Sequence, residues 1–184
     1  MNNYYSRDVS IDDEVINVAQ PLPTYFITGG GKLVLSSSAG QYAGDPDSRA
    51  NFGFNVKYNK TGKNLQGNVN IIIRSGGKVY QIKTNSLQSL GVNPTPCAQA
   101  TSSSPCTANF VGKANLIDIT DPNNPISVGG NLTLQMQMTD KGKPGSSDTI
   151  SFALWDGSKL LFSSNWNGTQ TVEQILNGGN LVVR

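Results

Sequence analysis

Apolar and polar residues alternate at every step of the segment Leu132-Thr133-Leu134-Gln135-Met136-Gln137-Met138-Thr139. Successive side chains of a β-strand point to opposite faces of the sheet, so this pattern predicts a strand with one buried face and one face of neutral polar groups. The same period recurs at Asn51–Tyr58, at Val69–Ile73 and at Ile150–Trp155. Repeated alternation of this kind favours an antiparallel sheet, because such sheets commonly bury only one face.

Turn-forming residues separate these segments. They cluster at Asp45-Pro46-Asp47, Lys60-Thr61-Gly62, Ser75-Gly76-Gly77, Asp121–Pro125, Lys143-Pro144-Gly145 and Asp156-Gly157-Ser158. Short strands joined by tight turns predict an all-β fold, either an antiparallel β-sandwich or a jelly-roll-like barrel. Helical spacing occurs only at Thr171–Leu176, where we expect at most a turn or two.

The N-terminal residues differ from the rest of the chain and predict an extended arm. Residues 1–23 contain four acids within Asp8–Glu14 and end in a stiff Pro21-Leu22-Pro23 linker. Residues 24–184 are predicted to form a single β-domain. The arm is too apolar for a simple tail and is expected to act as a strand, through Val9, Ile11, Val15, Ile16 and Val18. Its partner is either its own sheet or a second copy of the chain, and the second choice would build a head-to-tail fibre.

Composition excludes several classes of function. Charged residues make up 14% of the 184 residues and the net charge is only +2, so there is no basic footprint for nucleic acid. No apolar stretch approaches the roughly 18–20 residues of a membrane span, which predicts that the chain does not insert into a membrane. The chain has no His, which removes the commonest general base. It also lacks a Gly-x-Ser-x-Gly motif and a glycosidase-like Glu pair, so we expect no enzyme activity.

Two cysteines, Cys97 and Cys106, each follow a proline and enclose a Ser-rich segment. Two unrelated buried thiols are one alternative, and a zinc site would need two further soft ligands. A disulfide that closes the short loop fits best, and it predicts an extracellular or cell-surface location because disulfides persist in oxidising compartments. The start of the chain, Met1–Tyr5, is polar, so we expect the export signal to lie outside this chain.

Two further positions are candidates for ligand binding. Asp45 and Asp47 are spaced to offer oxygen ligands to calcium, although paired Asp residues in a proline turn are also ordinary turn chemistry. Trp155 follows Phe152 and Leu154 in the alternating segment and is expected on the opposite, exposed face. There its flat ring would suit the apolar face of a sugar, unless another segment covers it.

Two blocks of the chain resemble a known domain type. The first is Thr28–Gly31 followed by Ala50–Tyr58, and the second is Asp148–Asp156 followed by Asn177–Val183. They resemble the post-COAP-1-type C-terminal β-domain of secreted bacterial surface proteins, which often follows HYR-type or other immunoglobulin-like repeats. The Cys97–Cys106 insert departs from that pattern. The resemblance implies an extracellular, non-catalytic domain and transfers no catalytic residue.

The predicted function is therefore a non-catalytic structural or adhesive β-domain outside the cell, either in a surface protein or as a subunit of a self-assembling surface fibre through its N-terminal strand. The alternative is a carbohydrate-binding module, assisted by calcium. No cofactor other than calcium is expected. The expected partners are copies of the chain itself, other surface proteins or glycans.

Overall fold

The computed structural model describes residues 25–94 and 97–184. The predicted arm strand at Val9–Val18 lies outside these residues and stays a prediction. None of the described residues belongs to a helix long and apolar enough to cross a membrane.

The described residues form an all-β fold, which confirms the predicted fold class. Every strand pairs antiparallel with its neighbours. The strands are β1 (Phe26–Leu35), β2 (Ser48–Tyr58), β3 (Leu65–Ser75), β4 (Lys78–Asn93), β5 (Cys106–Asp118), β6 (Ile126–Asp140), β7 (Thr149–Asp156), β8 (Lys159–Ser163), β9 (Gln174–Ile175) and β10 (Gly179–Val183).

The strands belong to one curled sheet in up-and-down order. Strands β1 to β8 follow one another across the sheet, β10 returns to lie beside β1, and the short β9 pairs with β7. The curl brings distant strands together: the ring of Phe52 on β2 packs on that of Phe152 on β7, with centroids 5.2 Å apart. The core therefore lies inside the curl.

The alternation predicted from the sequence positions this core. On β6, Leu132, Leu134, Met136 and Met138 are all buried, whereas Gln135 and Gln137 are exposed. Strand β7 departs from the pattern because Ser151 and Ala153, which point outward, are also buried. The segment that follows β8 covers them, and this cover creates the site described below.

The prediction of a short helix at Thr171–Leu176 is wrong. Gln174 and Ile175 form β9 instead, and the Gln174 side-chain amide donates to the carbonyl oxygen of Val34 at 3.0 Å. The Thr149 hydroxyl also donates to the Glu173 carboxylate. Six residues make a marginal helix, so tertiary contacts decide the local conformation.

Both edges of the described sheet are engaged by other parts of the chain. Beside β8, the N–H of Tyr42 donates to the carbonyl oxygen of Leu161 at 2.7 Å. Beside β10, the N–H groups of Leu181 and Val183 donate to the carboxylates of Asp148 and Asp140, each at 3.0 Å. Backbone groups that would be open to pairing on a bare edge are therefore bonded within the chain.

Candidate functional site

A cleft of about 340 Å³ lies on the outer face of the sheet, between strands β5 to β7 and the segment after β8. We call it the tryptophan cleft. It is lined by Asn109, Phe110, Val111, Gln135, Met136, Gln137, Ser151, Ala153, Trp155, Trp166, Thr169, Gln170 and Thr171. Its volume falls within the range of about 300–1,000 Å³ that is typical of small-molecule sites.

The floor of the cleft follows from strand register. Asn109, Gln137 and Ser151 lie side by side on three neighbouring strands. The next outward row contains Val111, Gln135 and Ala153. Because all six positions alternate with core residues, the sheet presents their side chains together on its outer face.

The wall of the cleft is held by hydrogen bonds within the segment after β8 and from that segment to Ser37 and to Ser163 of β8. The N–H of Trp166 donates to the carbonyl oxygen of Ser37 at 2.6 Å. The Asn167 side-chain oxygen accepts the N–H groups of Thr169 and Gln170, at 3.1 and 2.9 Å. The hydroxyls of Thr171 and Ser163 are 2.8 Å apart. These bonds fix the side of the cleft that Trp166 forms.

Trp155 lies at the end of β7 and is half-buried, so the segment after β8 covers part of the ring that was expected to be exposed. Its indole Nε1–H is buried and has no hydrogen-bond partner within the described protein. A buried donor without an acceptor costs about 1–3 kcal/mol. An acceptor on a ligand would remove that cost.

Among the described residues, those that line the tryptophan cleft include no ionisable side chain. Its polar groups are amides, hydroxyls and indole N–H groups, and its apolar surface includes two large aromatic rings. Of these residues, sequence alternation singles out Trp155 and the outward glutamines of β6. The sequence does not indicate that Gln170 and Thr171 line the cleft, because their position depends on how the segment after β8 folds against the sheet.

Cys97 and Cys106 form a disulfide, as predicted, with their Cα atoms 6.0 Å apart. Both cysteines are buried, and Cys106 is the first residue of β5. The bond is compatible with an extracellular protein.

Asp45 stabilises a turn through hydrogen bonds from backbone N–H groups. Its two carboxylate oxygens accept the N–H groups of Gly76 and Gly77, at 2.7 and 3.4 Å, and so tie it to the turn between β3 and β4. Asp47 is in the left-handed region with a φ of 59°. Neither residue lines the tryptophan cleft. In the part of the chain that the structure describes, no three or more acidic or cysteine side chains are grouped to hold a metal ion. Calcium binding stays a prediction.

Two carboxylates, Asp140 and Asp148, are buried near the end of β6. Asp140 accepts the N–H groups of Gly142 and Val183, at 2.8 and 3.0 Å. Asp148 accepts those of Lys141 and Leu181, at 2.9 and 3.0 Å. Burial raises the pKa of Asp148, and these hydrogen bonds offset part of that rise. Together the two carboxylates join the loop between β6 and β7 to β10.

Comparisons of this chain with protein-family models, with curated proteins and with solved structures find no match. The resemblance to the post-COAP-1-type domain therefore stays a prediction. What the protein binds has to follow from the geometry of its own clefts.

Proposed function

We propose that this protein is a non-catalytic adhesive β-domain of an exported protein, and that it binds neutral sugar residues in the tryptophan cleft. The observation that carries the proposal is the meeting of Trp155 and Trp166 with a floor of outward-facing amides and no ionisable group. Flat aromatic rings pack well on the C–H faces of sugars, while amides can both donate to and accept from sugar hydroxyls.

The unpartnered Nε1–H of Trp155 supports a hydroxylated ligand in particular. A sugar hydroxyl or ring oxygen would accept this hydrogen bond once the groups that now cover the indole nitrogen move aside, while the exposed part of the ring packs against the sugar. An aliphatic ligand would leave the donor unpaired, and its binding would gain nothing from the indole N–H.

The absence of ionisable groups from the cleft lining supports binding rather than turnover. General acid–base catalysis needs a titratable side chain within hydrogen-bond reach of the reacting group. We therefore expect bound glycans to be recovered unchanged. Hydrolysis of a bound glycan that Asp45→Asn or Asp47→Asn abolishes would contradict this expectation.

The buried disulfide supports an exported protein, because a reducing cytosol would not maintain it. An exported domain with a neutral cleft and little net charge fits an adhesive role at a surface or in a matrix.

A glycan array followed by calorimetric titration tests the proposal. We expect Trp155→Ala to lower the affinity for a bound neutral oligosaccharide by at least about tenfold, since truncation of a buried aromatic anchor commonly costs more than about 1.4 kcal/mol. Trp155→Phe keeps a ring but removes the N–H, so its affinity should fall between those of the wild type and Trp155→Ala.

Gln66→Ala is the control for a substitution on the sheet surface, because Gln66 is an exposed residue of β3 that lies outside the cleft. Its affinity should equal that of the wild type. Thermal melts of each variant separate loss of binding from loss of folding. The proposal fails if no glycan binds, or if folded Trp155→Ala binds as the wild type does.

A further inference from the structure

A second cleft, of about 580 Å³, lies between the disulfide loop, the β6–β7 loop and β10. We call it the basic cleft. Its charged lining residues are Lys141, Lys143, Arg184 and the buried Asp140. Neutral hydrogen-bonding groups from Gln99, Thr101 and Asn180 complete the polar lining.

The positive charge of the basic cleft is not neutralised by ion pairs. Within residues 25–94 and 97–184 the one salt bridge joins Lys78 to Asp118, so Lys141, Lys143 and Arg184 have no carboxylate at ion-pair distance. Both oxygens of Asp140 already accept backbone N–H groups. The cleft thus presents three cations beside two buried carboxylates, Asp140 and Asp148, that already accept backbone N–H groups.

Hydrogen bonds to two buried carboxylates hold the loop that carries Lys141 and Lys143 in place. The N–H of Lys141 donates to buried Asp148 and that of Gly142 to buried Asp140. Gly142 has a φ of 86°, and a Cβ there would lie 2.6 Å from the carbonyl oxygen of Ala100, so the loop packs directly on the disulfide loop. Cations on a fixed backbone lose less freedom when a ligand binds.

The two clefts share strand β6. Gln137 lines the tryptophan cleft, and Lys141 follows it by four residues, just beyond the end of the strand. At about 3.3 Å per residue the two positions are about 13 Å apart, whereas Trp155 pairs with Thr133 and so lies about 26 Å from Lys141 along the strand. An extended oligosaccharide can contact both.

We propose that the ligand is an acidic polysaccharide: a neutral sugar occupies the tryptophan cleft, and a carboxylate of a sugar farther along the same polysaccharide chain binds in the basic cleft. This inference rests on the proposed function and names the ligand class. Lys141 and Lys143 supply point charges, and the planar Arg184 guanidinium can bind a carboxylate through two parallel hydrogen bonds.

An array of matched oligosaccharide pairs, each a neutral chain and its uronate-containing counterpart of equal length, tests the inference. In dilute salt we expect the intact protein to bind the uronate-containing member at least about tenfold more tightly. Because the added contribution is electrostatic, the preference should shrink as the salt concentration rises.

The double variant Lys141→Gln/Lys143→Gln keeps Arg184, so it should lose most of this preference and keep the wild-type affinity for the neutral member. The control Lys57→Gln/Lys159→Gln removes two exposed lysines that line neither cleft and should keep the preference. If the neutral oligosaccharide binds in a way that depends on Trp155, and the uronate-containing member binds no more tightly, this inference is wrong and the proposed function stands. If neither member of any pair binds, both fail.

The acidic Asp8–Glu14 stretch of a second copy is the competing occupant of the basic cleft. Sedimentation of the same variants distinguishes it. If Lys141→Gln/Lys143→Gln dissociates an assembly of the full chain while the preference for acidic glycans persists, the cleft serves self-association and the inference is wrong.

Discussion

At the scale of single residues, Asp118 shows how neighbouring groups fix the charge of a side chain. Its Oδ1 accepts the Thr120 hydroxyl at 2.6 Å, and its Oδ2 accepts the Lys78 ammonium at 2.9 Å. The hydrogen bond from the Thr120 hydroxyl and then that from Lys78 lower the pKa of Asp118 from 3.8 to about 2. Each of these bonds favours the ionised form.

This pKa predicts how stability changes in acid. The unfolded chain protonates Asp118 at a higher pH than the folded protein does, so it binds more protons as the pH falls. The contribution of Asp118 to the free energy of unfolding is therefore complete above pH 3.8 and is lost as the pH falls to about 2. Urea unfolding should show a smaller loss over this range in Asp118→Asn than in the wild type.

Asp156→Asn is the control, since Asp156 is an exposed carboxylate at the end of β7. Its pH profile should follow that of the wild type. Burial raises the pKa of Asp148, which acts in the opposite direction, but this effect is common to all three proteins and cancels in the comparison. Parallel profiles for Asp118→Asn and the wild type would refute the assignment.

At the scale of elements, β10 depends on carboxylates for its outer edge. One side of β10 pairs with β1, while Leu181 and Val183 on the other side donate to Asp148 and Asp140. A strand of only five residues makes few hydrogen bonds with its neighbour. The bonds to Asp148 and Asp140 are therefore expected to contribute to holding β10 in the sheet.

Asp148→Asn is expected to destabilise the protein by about 1–3 kcal/mol, because its amide nitrogen would face a backbone N–H where an oxygen now accepts one. Denaturant unfolding measures the loss, and hydrogen exchange should show faster opening of the Leu181 N–H. Asp156→Asn, at the exposed end of β7, should change stability by less than about 0.5 kcal/mol. Equal stability of Asp148→Asn and the wild type would show that the carboxylate does not hold β10.

At the scale of the whole molecule, the open question is assembly. The predicted arm lies outside the described residues, and the two described edges of the sheet are bonded within the chain. We therefore expect deletion of Asn2–Gln20 to leave cooperative unfolding intact. Sedimentation velocity should show that the full chain assembles and that the truncated chain remains a monomer.

A different outcome would place the arm in its own sheet. If both chains are monomers and the truncated one unfolds more easily, the arm stabilises its own domain. The fibre prediction would then be wrong, while the two clefts and their ligands would be unaffected.

The sequence alone determined the all-β class, the face of β6 that is buried and the disulfide. Each follows from neighbours in the chain: a period of two assigns Met136 inward and Gln137 outward, and Cys97 and Cys106 are close enough to close a short loop. It also singled out Trp155, because alternation alone places that ring on the outer face.

Only the tertiary structure decided what covers that face and what closes the sheet. The segment after β8, which contains Trp166, folds over β7 and buries Ser151 and Ala153. It also covers part of the Trp155 ring, which alternation alone would leave exposed, so that this ring lines a cleft. Asp148 reaches Leu181, and Gln174 reaches Val34 in place of the short helix that local spacing favoured. Periodicity records which residues share a face, but the partner of that face can lie anywhere along the chain. Such contacts are set by the curl of the whole sheet.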